Sequence, residues 1–278
     1  MLKKLSDIQK AILFTSLTLV LATALTFLLR KNSDIGLLMF VPLIVVLFTM
    51  LLTGEMFTKQ GWASLGFHRF SWKVFLIGLV VPLIPTLIGY VIVWNTGLGE
   101  FKVPPEVEGK FLLFLFSTIA SLVINSLTKM LGEEIGWRGY LLPRLQGLGI
   151  EKALFISSFI WGLFHLAPIL FSGQYHSDTN FLIFIPLFIL NVLFVGYFVG
   201  YLRLISGSIW PAIFAHGIHN MAWTYCAAYT INANPIVTYL TGDVGVIGVA
   251  FYFIVYLIIR KDMDKRRVMN NNVFAFSK

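Results

Sequence analysis

Charge is what this sequence has least of. Asp, Glu, Lys and Arg make up 12% of its 278 residues, about half the share in soluble domains. That scarcity excludes an ordinary soluble domain and a disordered chain alike. Cysteine is nearly missing too. With Cys226 alone, a disulfide framework and a four-cysteine zinc site are both excluded, and Cys226 is expected to be a buried small hydrophobe. What fills the space is apolar: 58% hydrophobic residues and a mean hydropathy of +0.83, the composition of an integral membrane protein.

Charges interrupt the apolar runs cleanly enough to count spans, each needing about 20 residues. Uncharged stretches cover 11–29, 35–54, 74–99, 111–128, 153–175, 179–202, 204–242 and 244–259. The stretch 204–242 is too long for one helix. Asn232, Asn234 and Pro235 divide it into a span at 209–231 and another from 236 to 260. The expected fold is an all-α, polytopic bundle of about eight spans, with 1–278 forming a single integral membrane domain. Lys3 and Lys4 ahead of Ala22-Thr23-Ala24 imitate a signal peptide, but this apolar run exceeds the roughly 7 to 15 residues of a cleaved one, so a retained span is expected. Pro42, Pro82 and Pro85 are expected to kink helices, and Gly78 and Gly89 to allow close packing.

If the N-terminus is inside, the cytoplasmic connections, tails and flanks hold 17 of the 21 basic residues, leaving Arg30, Lys31, Lys102 and Lys110 outside. This is the positive-inside pattern, so both termini are expected to be cytoplasmic in a multi-pass cell-membrane protein, with a bacterial plasma membrane favoured. The net charge of +8 then reflects contact with an anionic inner leaflet, chiefly through Arg260, Lys261, Lys265, Arg266 and Arg267. No nucleic-acid partner is implied. The loop carrying Glu100, Glu106 and Glu108 is expected to be solvated, and His68 and His176, the latter beside Asp178, to be surface residues.

Against this background the stretch LGEEIGWRGYLLPRL stands out. Glu134 and Arg138 are four apart and share a helix face, while Glu133 points about 100° away. A solvated loop with one structural ion pair would also fit. His165 falls about 18 Å deep at 1.5 Å per residue, where an ionisable group is costly without a polar cavity or a partner such as a backbone carbonyl. His216 and Asn220 share a face of the seventh span, with His219 overlapping it less well, either as a structural polar cluster or around a common target. Asn191 reads as an interhelical hydrogen bond. Three helices thus point polar groups at one membrane level, expected to be a cavity open to the cytoplasm. A carboxylate, an imidazole and hydrogen-bond donors around one cavity suit hydrolysis by an activated water. No serine or cysteine has nucleophile context, which argues against an acyl-enzyme route.

Glu133-Glu134-x-x-x-Arg138, then Trp161-x-x-x-His165, then His216-x-x-x-Asn220 resemble the motifs of the CPBP intramembrane proteases, relatives of the type II CAAX prenyl proteases. The likeness covers roughly 111–231. It implies an intramembrane endopeptidase of a membrane-associated peptide or protein, with Glu133 as general base, His165 holding the water, His216 and Asn220 forming the oxyanion site, and Glu134 and Arg138 in support. The family usually has phenylalanine where Trp161 stands, a departure expected to alter pocket shape more than catalysis. No cofactor is required in this reading. A zinc form would use Glu133, His165 and His216, but Asn220 is a poor zinc ligand and a good oxyanion donor. A non-catalytic bacteriocin-immunity or binding protein of the same fold, and a transporter, are the alternatives; no repeated half with matching broken helices supports the last.

Overall fold

The computed structural model describes residues 2, 4–29, 34–105, 107–174 and 179–269. Lys3, Arg30, Lys31, Glu106, His176 and Asp178, considered above, lie outside them. The chain is helical almost throughout, because a long uncharged run in hydrocarbon can satisfy its backbone N–H and C=O groups only within its own turns.

Helix α1 (Asp7–Leu29) leads through a 3-10 turn, Ile35–Phe40, into α2 (Val41–Thr53). Pro42 does not kink α2 but opens it, a position where its missing N–H costs nothing. Short α3 (Lys59–Ser64) precedes α4 (Trp72–Val80) and α5 (Leu83–Asn95), one apolar stretch interrupted at Pro82. A two-residue β1 (Glu100–Phe101) pairs antiparallel with β2 (Thr230–Ile231), a clasp with no counterpart in the sequence reading.

The fourth span runs on well past the uncharged stretch 111–128. Helix α6 (Phe111–Asn125), a π-helical turn at Ser126–Met130, α7 (Leu131–Glu134), a second π-helical turn at Ile135–Leu141, α8 (Leu142–Leu145) and a final 3-10 turn follow without a break. They form one rod, Phe111–Leu148. Four more helices complete the chain, α9 (Ile150–Phe171), α10 (Phe181–Ser206), α11 (Trp210–Ala228) and, after the single turn α12 (Val237–Leu240), α13 (Val246–Met269). The last span begins at Val246 rather than near 236, since Gly242 at φ +80° turns the chain first.

By length and composition, six helices among the described residues can cross a membrane: Asp7–Leu29, Ile35–Thr53, Trp72–Asn95, Phe111–Leu148, Ile150–Phe171 and Phe181–Ser206. α11 and α13 match the remaining expected spans in length only. His216, His219 and Asn220 dilute the first, and Arg260, Lys261 and Asp262 enter the second.

Two close approaches set the middle of the bundle. A Cβ on Gly132 would stand 2.7 Å from the Met39 carbonyl oxygen, so glycine lets the rod lie against the chain entering α2. A Cβ on Gly196 would meet Ser158 Oγ at 2.7 Å and Arg138 Nη2 at 3.0 Å, so glycine seats α10 against both α9 and the rod.

The helices alternate, and bonds between connections identify the two ends. At one end Leu2 N–H donates to the Leu52 carbonyl, Arg260 pairs with Glu151, and Glu55 accepts from Lys10 at 3.0 Å and Arg144 at 2.9 Å. Burial pushes the Glu55 carboxyl up, but Arg144 and Lys10 outweigh it and hold it below its ordinary value. Its contribution to stability is therefore present above the unfolded-state value and is lost as pH falls through the lower folded one. At the opposite end Gln174 donates to the Leu29 carbonyl, Lys129 pairs with Asp34 at 3.5 Å, and Asn234 N–H donates to the Leu98 carbonyl.

Candidate active site

The glutamates in the rod are fully buried and part company as consecutive helical residues must. Glu134 Oε1 accepts from Arg138 Nη1 at 2.9 Å and from His216 Nδ1 at 3.0 Å. Arg138 also donates to the Gly196 carbonyl at 3.2 Å, with its guanidinium carbon 4.4 Å from the centre of the Trp161 ring. The i, i+4 pairing read from the sequence is thus present, buried, and extended to a third helix.

Glu133 faces other groups. Its Oε2 accepts from the indole N–H of Trp137 at 3.2 Å and of Trp161 at 2.6 Å. Its Oε1 is buried with no hydrogen-bond partner among the described residues, and the residue lines a cavity of about 300 Å³. A bare, buried carboxylate oxygen is costly unless water or a ligand completes it.

The same cavity is lined by His165, His216, His219 and Asn220. His165 Nδ1 lies 2.9 Å from the Trp161 carbonyl oxygen. A carbonyl only accepts, so Nδ1 carries the hydrogen and Nε2 keeps its lone pair. His165 therefore combines both sequence alternatives, a backbone partner on one ring nitrogen and a place in the cavity wall. Glu134 orients His216 in the same manner, taking Nδ1–H and leaving Nε2 free of it. The Asn220 amide makes one weak contact, Nδ2 to Met130 Sδ at 3.5 Å. His219 is 8% exposed, packs edge-on against Tyr252, and its Nδ1 has no partner among the described residues.

The structure brings Glu133, His165, His216 and Asn220 to one cavity and puts Glu134 and Arg138 behind its wall. π-helical turns flank Leu131–Glu134 on both sides and re-aim the side chains beyond them, a common device at functional sites. The remaining lining is chiefly apolar, including Leu38, Met39, Phe164, Phe188, Val192 and Val195.

Two expectations need extending. Trp161 does more than shape the pocket, because its N–H holds the Glu133 carboxylate, a bond phenylalanine cannot make. Asn191 is an interhelical bond as expected, Nδ2 to the Asp243 carbonyl at 2.6 Å, but it also lines the cavity. The cavity lining also reaches Ile35, Gly36, Thr224 and Asp243.

Trp137 escaped the sequence reading, although it stands four residues after Glu133 with a donor N–H. Nothing in the sequence pointed to Met130 as the contact of Asn220. As for metal, no three side chains of His, Cys, Asp or Glu group as ligands among the described residues, and one oxygen of Glu133 is already held by two indoles. The zinc set Glu133, His165 and His216 is not assembled.

Residues 115–222 match the family model described as Type II CAAX prenyl endopeptidase Rce1-like. This core is Rce1-like. The matched segment contains Glu133, Glu134, Arg138, His165, His216 and Asn220, within a chain that has several helices long and apolar enough to cross a membrane. Comparison with curated proteins gives no match.

The buried pair in the Rce1-like core yields a stability prediction. Arg138→Met removes the cation and strands Glu134 beside His216, and breaking a buried pair from one side costs about 3 to 5 kcal/mol. Thermal unfolding in detergent should show a large loss. An unchanged midpoint would mean that Glu134 is not held as an anion by Arg138.

Proposed function

We propose that the chain is an intramembrane endopeptidase that cuts a membrane-associated peptide or protein with water activated between Glu133 and His165. The observation that carries this reading is the unpartnered Glu133 Oε1 in a cavity shared with His165, whose accepting Nε2 is set by its backbone bond. A water there donates one hydrogen to Glu133 and the other to His165 Nε2, directing its lone pair at a peptide carbonyl.

As the water oxygen bonds to the carbonyl carbon, its proton passes to Glu133 and the carbonyl oxygen becomes negative. Asn220 Nδ2–H and His216, when protonated at Nε2 and paired with Glu134, are the donors for that oxygen. Collapse of the intermediate breaks the C–N bond, and Glu133 returns its proton to the leaving nitrogen. The products are a carboxylic acid and an amine. The apolar lining suits a hydrophobic stretch of substrate.

No metal enters these steps, and none is needed for charge balance. The test is elemental analysis of protein shown to cut a peptide library in detergent, with chelator added in parallel. Turnover without stoichiometric metal and unaffected by chelator is expected. One tightly bound zinc per chain, with activity lost to chelator and regained with zinc, would replace this mechanism by a metal-dependent one. The charge distribution further supports an orientation with both termini cytoplasmic.

A further inference from the structure

We propose that the crease where the loop between α3 and α4 meets the turn between α10 and α11 binds the phosphate of an anionic phospholipid through Arg69 and Arg203, with an acyl chain of that lipid in the apolar cleft beside them. The crease is separate from the Glu133 cavity, whose lining includes no residue from 55–73 or 200–212. The proposal is independent of the hydrolytic reading.

Close backbone approach builds the crease. Ile209 N–H donates to the Gly66 carbonyl at 3.1 Å, Ser208 Oγ to the Arg69 carbonyl at 2.7 Å and Trp210 Nε1 to the Phe67 carbonyl at 3.2 Å. Each segment then makes room for an arginine of the other. A Cβ on Gly66 would stand 2.7 Å from the guanidinium carbon of Arg203, and one on Gly207 would stand 2.9 Å from Arg69 Nη1. The two cations share one crease, near enough to repel each other.

No side chain balances them. Arg203 is only 6% exposed. Its guanidinium makes one hydrogen bond among the described residues, Nη2 to the Ser64 carbonyl at 3.0 Å, while Nε is buried without a partner there. No acidic side chain among the described residues forms an ion pair with Arg203 or Arg69. Buried Arg138 and Arg144, in contrast, each have a carboxylate at 2.9 Å. A helix C-terminus supplies about half a negative charge, so the last carbonyls of α10 offset only part of two full cations. Arginine does not escape by losing its proton. A buried charge left in this state calls for a counter-ion from outside the chain.

The surroundings select a lipid phosphate over a soluble anion. A guanidinium fork matches phosphate oxygens in pairs. Phe70 and Trp72, just after Arg69, are 48% and 70% exposed, and exposed aromatics beside a span mark the depth of lipid headgroups. Met56, Phe57, Trp62, Ala63 and Phe67 line an open cleft of about 790 Å³. Ala63 and Phe67 flank the stretch that meets Arg203 through Ser64 and Gly66, so cleft and crease adjoin. A phosphate in the crease leaves its acyl chain the cleft to lie in.

Delipidated protein in detergent, titrated with short-chain phosphatidylglycerol, tests this through the midpoint of thermal unfolding, which rises with any ligand bound by the folded state. The affinity read from the titration is the measure, not the midpoint of lipid-free protein. Phosphatidylglycerol is expected to raise the midpoint saturably, phosphatidylcholine of the same chain length to bind about tenfold more weakly, and inorganic phosphate at the same concentration to leave the midpoint unchanged. Arg69→Gln, at an exposed position, should weaken phosphatidylglycerol about tenfold. Arg203→Lys should weaken it less, keeping the charge but losing the fork, and Phe57→Ala should cost a few-fold through lost acyl contact. Lys102→Gln, an exposed cation at the opposite end of the bundle, should leave the titration unchanged. If Arg203→Lys does not fold, Arg69→Gln and Phe57→Ala carry the test. Equal titrations of wild type and Arg69→Gln, or equal responses to the two lipids, would overturn the proposal. A shift reproduced by inorganic phosphate and insensitive to Phe57→Ala would also overturn it, replacing the lipid by a soluble anion.

Discussion

Glu133→Gln is expected to yield a folded protein that still binds peptide and turns it over about 10²- to 10⁴-fold more slowly, the usual range for losing a general base. The substitution is nearly isosteric. An amide oxygen at the Oε2 position can still accept from Trp137 and Trp161, whose N–H groups stand 3.2 and 2.6 Å from it. What disappears is the ability to take a proton from water. The effect should therefore fall on kcat with KM little changed, as for an interaction made mainly in the transition state. Single-turnover cleavage with peptide in excess of KM, beside direct binding of the same peptide, separates the two parameters. Full activity would remove Glu133 from the chemistry. Loss of binding or a collapsed unfolding transition would make it a structural residue.

Asn220→Ala is expected to weaken the transition state by about 3 to 4 kcal/mol, or some 10²- to 10³-fold in kcat, the typical cost of one oxyanion donor. Stability should change little. Asn220 is only half-buried, and its side chain's one hydrogen-bond contact among the described residues is to Met130 Sδ at 3.5 Å, too long and too soft to hold the fold. That asymmetry makes Asn220 a cleaner probe than His216, whose removal would also strand Glu134. Asn220→Asp is a useful companion, since it keeps the shape but turns a donor into an anion next to developing negative charge. It should be at least as slow as the alanine variant. Equal rates for wild type and both variants would assign oxyanion stabilisation elsewhere, with His219 the next donor in the wall.

Much of the site was legible in sequence because membrane composition makes exceptions conspicuous. In a chain of this hydropathy, Glu133, Glu134 and Arg138 require a reason, and the i, i+4 rule pairs Glu134 with Arg138 before any coordinates are known. The His216 and Asn220 spacing likewise places both side chains on one wall. What escaped depends on helix continuity and on contacts between helices. The rod runs on to Leu148 through two wide turns that no periodicity announces. The Trp161 bond to Glu133 spans 28 positions. Spacing rules govern neighbours on one helix, and they do not reach that far.

The paired wide turns at Ser126–Met130 and Ile135–Leu141 give this helix an arithmetic of its own. A π turn takes in about one residue more than an α turn of the same height, so each behaves as a single-residue insertion absorbed in place. Glu133 and Glu134 sit between two such absorbed residues. Their bearing on His165 and His216 thus depends on how many residues precede and follow them as much as on which ones they are. Losing one residue from either turn would tighten it and swing the glutamates by roughly 100° relative to the helix beyond, with every side chain chemically intact. In this segment length itself is a functional trait, one that comparison of residue identities alone does not register.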